Sequence, residues 1–505
     1  MKRHVLLINP WITDFAAYDF WLKPLGLLYI AAVLKAREYE VTLIDCLDRY
    51  DSELLEFQGL AKPKNRYFST GKFHREIIPK PAAYRHVPRN YARYGLPLPL
   101  FRQKLKRTRR PDAVLVTSGM TYWYPGVQQT IAEVRKRFPD VPVVLGGIYA
   151  TLCRQHAAEH SGADIVVSGE GELPALRAVD ALVGTRRSYA GLYRTLDALP
   201  FPAFDLYGRL GSVPLMTSRG CPLNCTFCAS RIVSGTYRWR DPRAVVAEIE
   251  WDLKRHGVRE IAFYDDALLT NHRNHLQIIL DEVVRRGWRL CFHTPNGLQC
   301  KLIEAEVAQL MRRAGFQTIR LSYESGNPAR RRDMSNKVSD EHFGRAVRIL
   351  FAAGFVKGQL DAYVMMALPG QSIEEVLRSM AFVHSHGVKV RLAAFSPIPG
   401  TVDWRRAIER GTLHADDDPL LTNNSIVPVR PAGTTFHTFE KLSLLAKKLN
   451  ADLHETGAAV GAHDLLPALK SEFSRDELRG GIESVFPLSL RPGFSSRHGF
   501  DKIET

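Results

Sequence analysis

Ser218-Arg-Gly-Cys-Pro-Leu-Asn-Cys-Thr-Phe-Cys-Ala229 carries three cysteines, Cys221, Cys225 and Cys228, in a CxxxCxxC run. Three thiolates at this spacing hold three irons of a 4Fe-4S cube and leave the fourth iron open, whereas a closed electron-transfer cluster wants a fourth thiolate nearby. Soft thiolates also suit zinc, but structural zinc takes four ligands and no Cys or His follows at a completing spacing. The run therefore reads as a loop with an open iron, a place for chemistry.

Outward from this loop the pattern is one of strands alternating with helices. Strands are read at Val213 to Ser218, Glu260 to Tyr264, Leu290 to Thr294, Thr318 to Ser322, Gln359 to Met365 and Val388 to Phe395. The cysteines follow the first of them. Before the loop, the N-terminal third shows the same alternation, with strands at His4 to Ile8, Glu40 to Ile44, Ala113 to Thr117, Pro142 to Leu145 and Asp164 to Val167. Helices are expected at Gly26 to Arg37, Gly126 to Arg137 and Leu152 to His160. Right-handed crossovers make this a doubly wound α/β unit, with ligands outside the carboxyl ends of its strands.

The implied division is a Rossmann-like domain over 1–175, a linker over 176–212, a βα-repeat domain over 213–401 and a mostly helical C-terminal cap over 402–505. Within the cap, helices are read at Phe439 to Leu453 and Ser474 to Ser484, and 493–505 reads as a polar tail.

Composition narrows the class. The chain has 505 residues with ordinary hydrophobic content, no apolar run long enough to span a bilayer and no N-terminal segment resembling a signal peptide. Seven cysteines, three of them in one motif, do not form a disulfide framework, and a labile cluster needs a reducing compartment, so a cytoplasmic protein is expected. Cys46, Cys153, Cys291 and Cys300 are scattered and read as small buried residues.

The net charge of +16 is concentrated. Residues 61–110 hold fifteen Lys or Arg against one acid, Glu76, together with many prolines and aromatics. They read as a long insertion without strong periodicity, placed after the second strand. A solvated basic loop, a surface for an acidic ligand or lipid, and a nucleic-acid surface are the three readings of it. The aromatics imply that it packs on something.

With Phe227 before its last cysteine, the Cys221-Cys225-Cys228 run resembles the signature of radical S-adenosylmethionine enzymes. The resemblance implies a six-repeat partial TIM-type barrel in which the open iron chelates the amino and carboxylate groups of S-adenosylmethionine. Cleavage of the sulfonium then yields a 5'-deoxyadenosyl radical, with electrons from a donor such as flavodoxin or ferredoxin. It also implies S-adenosylmethionine contacts at the strand ends. Asp265 and Asp266 correspond to the position that holds the methionine ammonium, although carboxylates there also cap a helix. Glu324 and Ser325 correspond to the segment facing ribose and carboxylate; a buried carboxylate paired with an arginine is the other reading of Glu324. Gly370 and Pro399 lie in loops similar to the adenine side, and Asn296-Gly297 ends the third strand.

The loops that close the first sheet resemble a cobalamin-binding domain. Ser118, Met120, Thr121, Tyr122, Gly146, Gly147, Tyr149, Gly169 and Glu170 are then the corrinoid contacts, with Gly146 and Gly147 allowing close backbone approach. The Asp-x-His-x-x-Gly loop of cobalamin proteins with a histidine ligand is absent: the region reads Asn9-Pro-Trp-Ile-Thr-Asp-Phe-Ala-Ala17. The implied activity is cobalamin-dependent methyl transfer to an unactivated carbon of a small molecule or lipid. A cobalamin-free radical cyclase, mutase or ring-former is the alternative. An RNA methylthiotransferase ranks lower, because only Cys46 and Cys153 precede the motif, and so does a noncatalytic iron-sulfur module. Nucleic acid is not the expected partner.

Overall fold

The computed structural model describes residues 2–431 and 433–479. His4–Asn9 (β1), Glu40–Asp45 (β2), Ala113–Val116 (β3), Val143–Leu145 (β4) and Ile165–Val166 (β5) form a parallel five-stranded sheet in the order β5-β4-β3-β1-β2. Alternation along β1 explains the two-sided burial. Val5 and Leu7 pack with helices Leu25–Ala36 (α1) and Glu172–Leu182 (α7), while Leu6 and Ile8 face a second cluster. That cluster includes Phe101 and Leu105 of Leu98–Arg107 (α3) and Val127, Ile131 and Val134 of Tyr124–Arg137 (α4). Helices on both faces make the doubly wound fold, and the order reverses between β1 and β3, where such sheets open a crevice.

Three expectations change. The helix read at 152–160 starts at Arg154 (α6, Arg154–His160), because Cys153, whose φ of −125° is not helical, parts it from a separate short helix, Ile148–Leu152 (α5). α7 runs on to Leu182, so a boundary at 175 falls inside a helix. The basic segment is not structureless: Ile12–Asp14, Ala92–Tyr94 and Arg75–Ile77 make a small antiparallel sheet, and α3 is a crossover helix. Pro97 and Pro99 mask that helix in the sequence, but proline is tolerated in a first turn because the N–H it lacks has no intrahelical acceptor.

The second unit is a parallel sheet of Val213–Leu215 (β6), Glu260–Phe263 (β7), Cys291–His293 (β8), Phe316–Glu324 (β9), Leu360–Met366 (β10) and Lys389–Ala394 (β11) in sequential order. Leu298–Gln299 adds to β9 off this path. Outward-facing residues such as Ile261, Phe292, Leu321 and Val364 join the helices in one large core, which also takes in Leu25, Leu28 and Tyr29 of α1. The two units thus share apolar packing.

The inward-facing side holds a wedge from the first unit. Trp21 stacks on His293 of β8 with ring centroids 4.2 Å apart, and Phe68 lies 4.9 Å from the same imidazole. Phe20 lies under the guanidiniums of Arg320 and Arg391 at 5.0 and 5.8 Å. Trp21 Nε1 donates to Phe68 O at 2.7 Å, and Tyr264 Oη donates to Trp21 O at 2.6 Å. Trp21, Phe68 and Ser69 hold left-handed φ values of 64°, 43° and 60°, an uncommon conformation for residues other than glycine. Burial and the nearby Arg320 push the His293 pKa down to about 3, so the ring is neutral. The aromatics of the basic segment do pack: Phe68 enters the barrel interior, Tyr84, Tyr91 and Phe101 join the core of the first unit, and Phe73 and Tyr94 pack on the small antiparallel sheet.

After β11 the chain forms the helix Val402–Glu409, returns over the first unit at 419–426 and ends its described course in helices including Phe436–Thr456, Ala462–Lys470 and Arg475–Arg479. The remainder of the helix expected to 484, and the polar tail, lie outside the described residues.

Candidate active site

The cysteine loop is fastened at both ends. Ser218–Arg219 pairs antiparallel with Arg238–Trp239, and Gly220 sits at φ +76° where a Cβ would come within 3.0 Å of the carbonyls of Gly235 and Thr236. Asp265, at the end of β7, accepts from Thr217 N at 3.1 Å, Thr217 Oγ1 at 2.7 Å and Ser218 Oγ at 2.5 Å. On the far side Thr226 Oγ1 donates to Asp403 at 2.7 Å, and Thr226 N donates to Met334 O at 3.1 Å. Cys221, Cys225 and Cys228 are free thiols on this scaffold. Among the described residues no three His, Cys, Asp or Glu side chains form a site for a single metal ion, while Cys225 is near enough to act electrostatically on both Cys221 and Cys228. Each iron of a cube takes one thiolate, so three soft sulfur donors on one fastened loop are the donor chemistry a cluster needs.

Loss of solvation raises all three thiol pKa values, that of Cys228 to about 11. Cys228 is nonetheless open on one side, so for this residue the crowding of protein atoms around the sulfur, rather than full enclosure, is the cause. Lys337 opposes the rise at each sulfur. Burial would lower the Lys337 pKa, but its ion pair with Glu324 and the nearby Cys225 raise it overall, and the ammonium is held. Glu324 therefore pairs with a lysine, not an arginine. It does so from a left-handed φ of 69°, a strained conformation that costs about 1–3 kcal/mol. Lys337 escaped the sequence reading because a lone lysine after a helix carries no pattern.

The other strand-end residues divide. Asp265 is buried and accepts from Thr217 and Ser218, so its carboxylate ties the end of its own strand to the start of the cysteine loop. Asp266 is exposed and accepts only from Ser230 Oγ, leaving acceptor capacity. Asn296 Nδ2 bridges the carbonyls of Tyr264 and Asp265 at 3.1 Å each. Ser325 is fully buried and donates to Glu375 Oε1 at 2.6 Å, so its hydroxyl is used within the fold. Gly370, at φ +69°, has Arg410 3.1 Å from where a Cβ would stand, and Pro399 lies in the half-buried turn before helix Val402–Glu409.

Between the two sets of strand ends lies a cavity. Gly26, Thr117, Gly146 and Gly169 line it from the first unit; Met216, Arg219 and Val233 line it from beside the cysteine loop. A Cβ at Gly26 or Gly169 would meet nothing within 4 Å, and one at Gly146 only Val167 O at 3.8 Å. Met120 and Ile148 stay 44% and 36% exposed on the loops after β3 and β4. Bare glycine backbone and apolar side chains make up most of its lining, with the ion-paired Glu172 and Arg219 at one side, a surface against which the face of a flat group can lie. α8 (Ser230–Ser234), following the cysteines, packs on α5 across the boundary. Arg219 pairs with Glu172, and Glu170 with Arg238, so Glu170 is committed to joining the two units.

Other expected cradle residues also serve packing, Gly147 while lining the same cavity. Gly147, at φ +94°, must be glycine because a Cβ would stand 2.3 Å from Ser118 O; its neighbour's backbone, not a ligand, dictates it. Ser118 Oγ donates to Gly146 O at 2.6 Å. Tyr149 is fully buried, 2.6 Å from His156 Nδ1. Thr121 lies 2.7 Å from Thr422 Oγ1, and Tyr122 donates to Asn424 at 3.3 Å, so both face the returning C-terminal segment. The loop after β1 is likewise occupied, with Trp11 buried and donating to Leu96 O at 2.7 Å.

Comparison with known proteins agrees with this geometry. The Radical SAM superfamily model matches residues 215–383, and the B12 binding domain model matches residues 101–179. An uncharacterized methyltransferase of Pyrococcus horikoshii is 26% identical over 77% of this chain and 79% of its own. Cytidylyl-2-hydroxyethylphosphonate methyltransferase of Streptomyces wedmorensis is 23% identical over 90% of each chain. Among solved structures, the radical S-adenosylmethionine methyltransferase TsrM from Kitasatospora setae, with cobalamin and a 4Fe-4S cluster bound, superposes with a TM-score of 0.60 at 18% identity, covering 86% of this chain and 81% of that one. At that identity the likeness is one of fold.

Proposed function

We propose that this chain, a radical S-adenosylmethionine enzyme with an N-terminal cobalamin-binding domain, methylates an unactivated carbon of a small molecule or lipid. Its cofactors are a 4Fe-4S cluster, S-adenosylmethionine and cobalamin. When bound, they supply a hydrogen-abstracting radical and a transferable methyl group. The single observation behind the reading is the cavity shared by Gly146 and Gly169 on one side and Met216, Arg219 and Val233 on the other, because a corrinoid held there would stand beside the cysteine loop.

In this reading Cys221, Cys225 and Cys228 hold the cluster, and Lys337 favours their thiolate forms. Asp266, Glu324, Gly370 and Pro399 border S-adenosylmethionine, while Asp265 and Asn296 fix the loops that carry it. Gly26, Gly146 and Gly169 receive the corrinoid, and Met216 and Val233 keep water from the space between. The functional units are then 1–182 and 213–401, with the segment after 401 closing over both. Two relatives named as methyltransferases, matched over most of their length, support methyl transfer; the name of one specifies a small substrate. A reducing compartment, the cytoplasm, and a low-potential donor such as flavodoxin or ferredoxin complete the requirements. No helix among the described residues is long and apolar enough to cross a membrane.

Anaerobic reconstitution followed by titration with hydroxocobalamin tests the reading. We expect a cluster signal that Cys225→Ala removes, and a corrinoid retained through gel filtration. Retention of the cluster with no corrinoid would favour a radical cyclase or ring-former, the activity class named for relatives that match about half of this chain.

A further inference from the structure

The basic segment keeps a charge that the fold does not cancel. Several of its cations meet carboxylates: Arg93 pairs with Glu76, Arg102 with Glu133, Lys104 with Asp51 and Glu53, and Arg109 with Glu40. Lys64, Arg66 and Lys72 are exposed and meet none among the described residues. All three line one cleft of about 800 Å³ between helix Ser52–Phe57 (α2) and the hairpin of Asn65–Tyr67 with Thr70–Gly71. No Asp or Glu lines this cleft.

The cleft is built, not incidental. Arg49 at its base is buried and gives its guanidinium to Asp19, to the carbonyls of Ser69 and Lys64 and to Asn65, so it holds the hairpin and is not itself available. Gly71 permits that approach, since a Cβ there would overlap the guanidinium at 2.0 Å. Opposite the cations, Phe57 is 55% exposed with its ring edge-on to His74 at 5.8 Å. His74 Nδ1 lies 3.2 Å from Gln58 Nε2, while its Nε2 is buried with no partner. Burial holds the His74 pKa below the usual range, so the ring is neutral and can offer a hydrogen bond without adding charge.

Three uncancelled cations in a recess attract an anion. Phosphoryl oxygens fit lysine and arginine donors, and an exposed aromatic face takes a flat ring by stacking. The volume falls in the range of small-molecule sites, about 300–1,000 Å³. We infer that this cleft binds a nucleoside phosphate, with its phosphoryl group on Lys64, Arg66 and Lys72 and its base against Phe57. The site is separate from the cavity between the domains. It lies at the outer end of the hairpin whose tip, Phe68, closes on His293.

Calorimetric titration of the reconstituted full chain, saturated with S-adenosylmethionine, tests this with UMP, uridine and inorganic phosphate as probes. We expect UMP to bind at least tenfold more tightly than phosphate and uridine not to bind. The triple variant Lys64→Ala, Arg66→Ala, Lys72→Ala should lose at least tenfold in UMP affinity. Phe57→Ala should lose about fivefold for UMP and nothing for phosphate. These side chains are exposed, so melting temperature and corrinoid retention should match the wild type. Absence of UMP binding, binding unaltered in the triple variant, or phosphate binding as tightly as UMP would each overturn the assignment. A ten-nucleotide oligouridine bound more tightly than UMP would overturn it in favour of a nucleic-acid surface.

Discussion

At the end of β7 the carboxylate of Asp265 is enclosed by donors from Thr217 and Ser218, whereas at the ends of β4 and β5 the backbone of Gly146 and Gly169 faces open space. The barrel loop must hold a small, exact donor set, so Asp265, which fastens it, is satisfied by the protein before any ligand arrives. The first sheet must admit a large flat group, so it withholds side chains and offers shape. One end therefore depends on hydrogen bonds that cannot be removed singly, and the other on volume that cannot be filled.

Asp265→Ala should break the first half of this contrast and have the largest effect. It leaves three buried donors without acceptors, at about 1–3 kcal/mol for each unsatisfied group, and should cost about 3 kcal/mol in chemical denaturation. Cluster absorbance and S-adenosylmethionine cleavage should be lost with it; a full cluster signal in the variant would contradict the positioning role.

A second, smaller effect is in acid. His293 titrates near 3 when folded and near 6.5 when unfolded, so the unfolded state binds the extra proton between those values and stability falls as pH drops through that window. At pH 5 this group should already cost about 2 kcal/mol. His293→Gln should flatten that part of the curve in pH-dependent denaturation, and an unchanged slope would show that the imidazole is not held neutral by the wedge.

The volume half of the contrast is probed by Gly146→Leu, which should weaken hydroxocobalamin retention about tenfold while leaving the cluster spectrum intact. Equal retention would mean that the cradle lies elsewhere. The smallest effect sharpens the boundary of that cradle: Tyr149→Phe should lose about 1 kcal/mol of stability with its His156 partner gone, and corrinoid affinity should stay within about twofold.

The cysteine loop and the positions of most strand ends were legible in the sequence because ligand spacing and βα alternation are local signals. The roles of the residues there were not. Asp265 and Asp266 are adjacent, yet one is saturated by residues 48 and 47 positions earlier and the other is nearly free, a difference created only when β6 and β7 pair. Gly146 and Gly147 read alike as close-approach glycines; Ser118 makes the second a packing requirement. Helix α3 was hidden by prolines that its first turn accepts. The wedge of Phe20, Trp21 and Phe68 on β8 and on Arg320 and Arg391 carries no periodicity at all, because its contacts span more than two hundred residues.

The return of residues 419–426 over the first unit bears on how the molecule is made. Leu420, Leu421 and Ile426 belong to the same apolar cluster as Leu6, Ile8, Val127 and Tyr149, and Asn423 donates to Asp14 at 3.1 Å and to Tyr84 at 3.2 Å. An emerging chain that has reached the end of the first sheet still lacks these pieces of its interior. The apolar interior of the N-terminal unit is thus complete only once the residues that follow the barrel in sequence have folded back onto it, so the two units cannot reach their final packing independently.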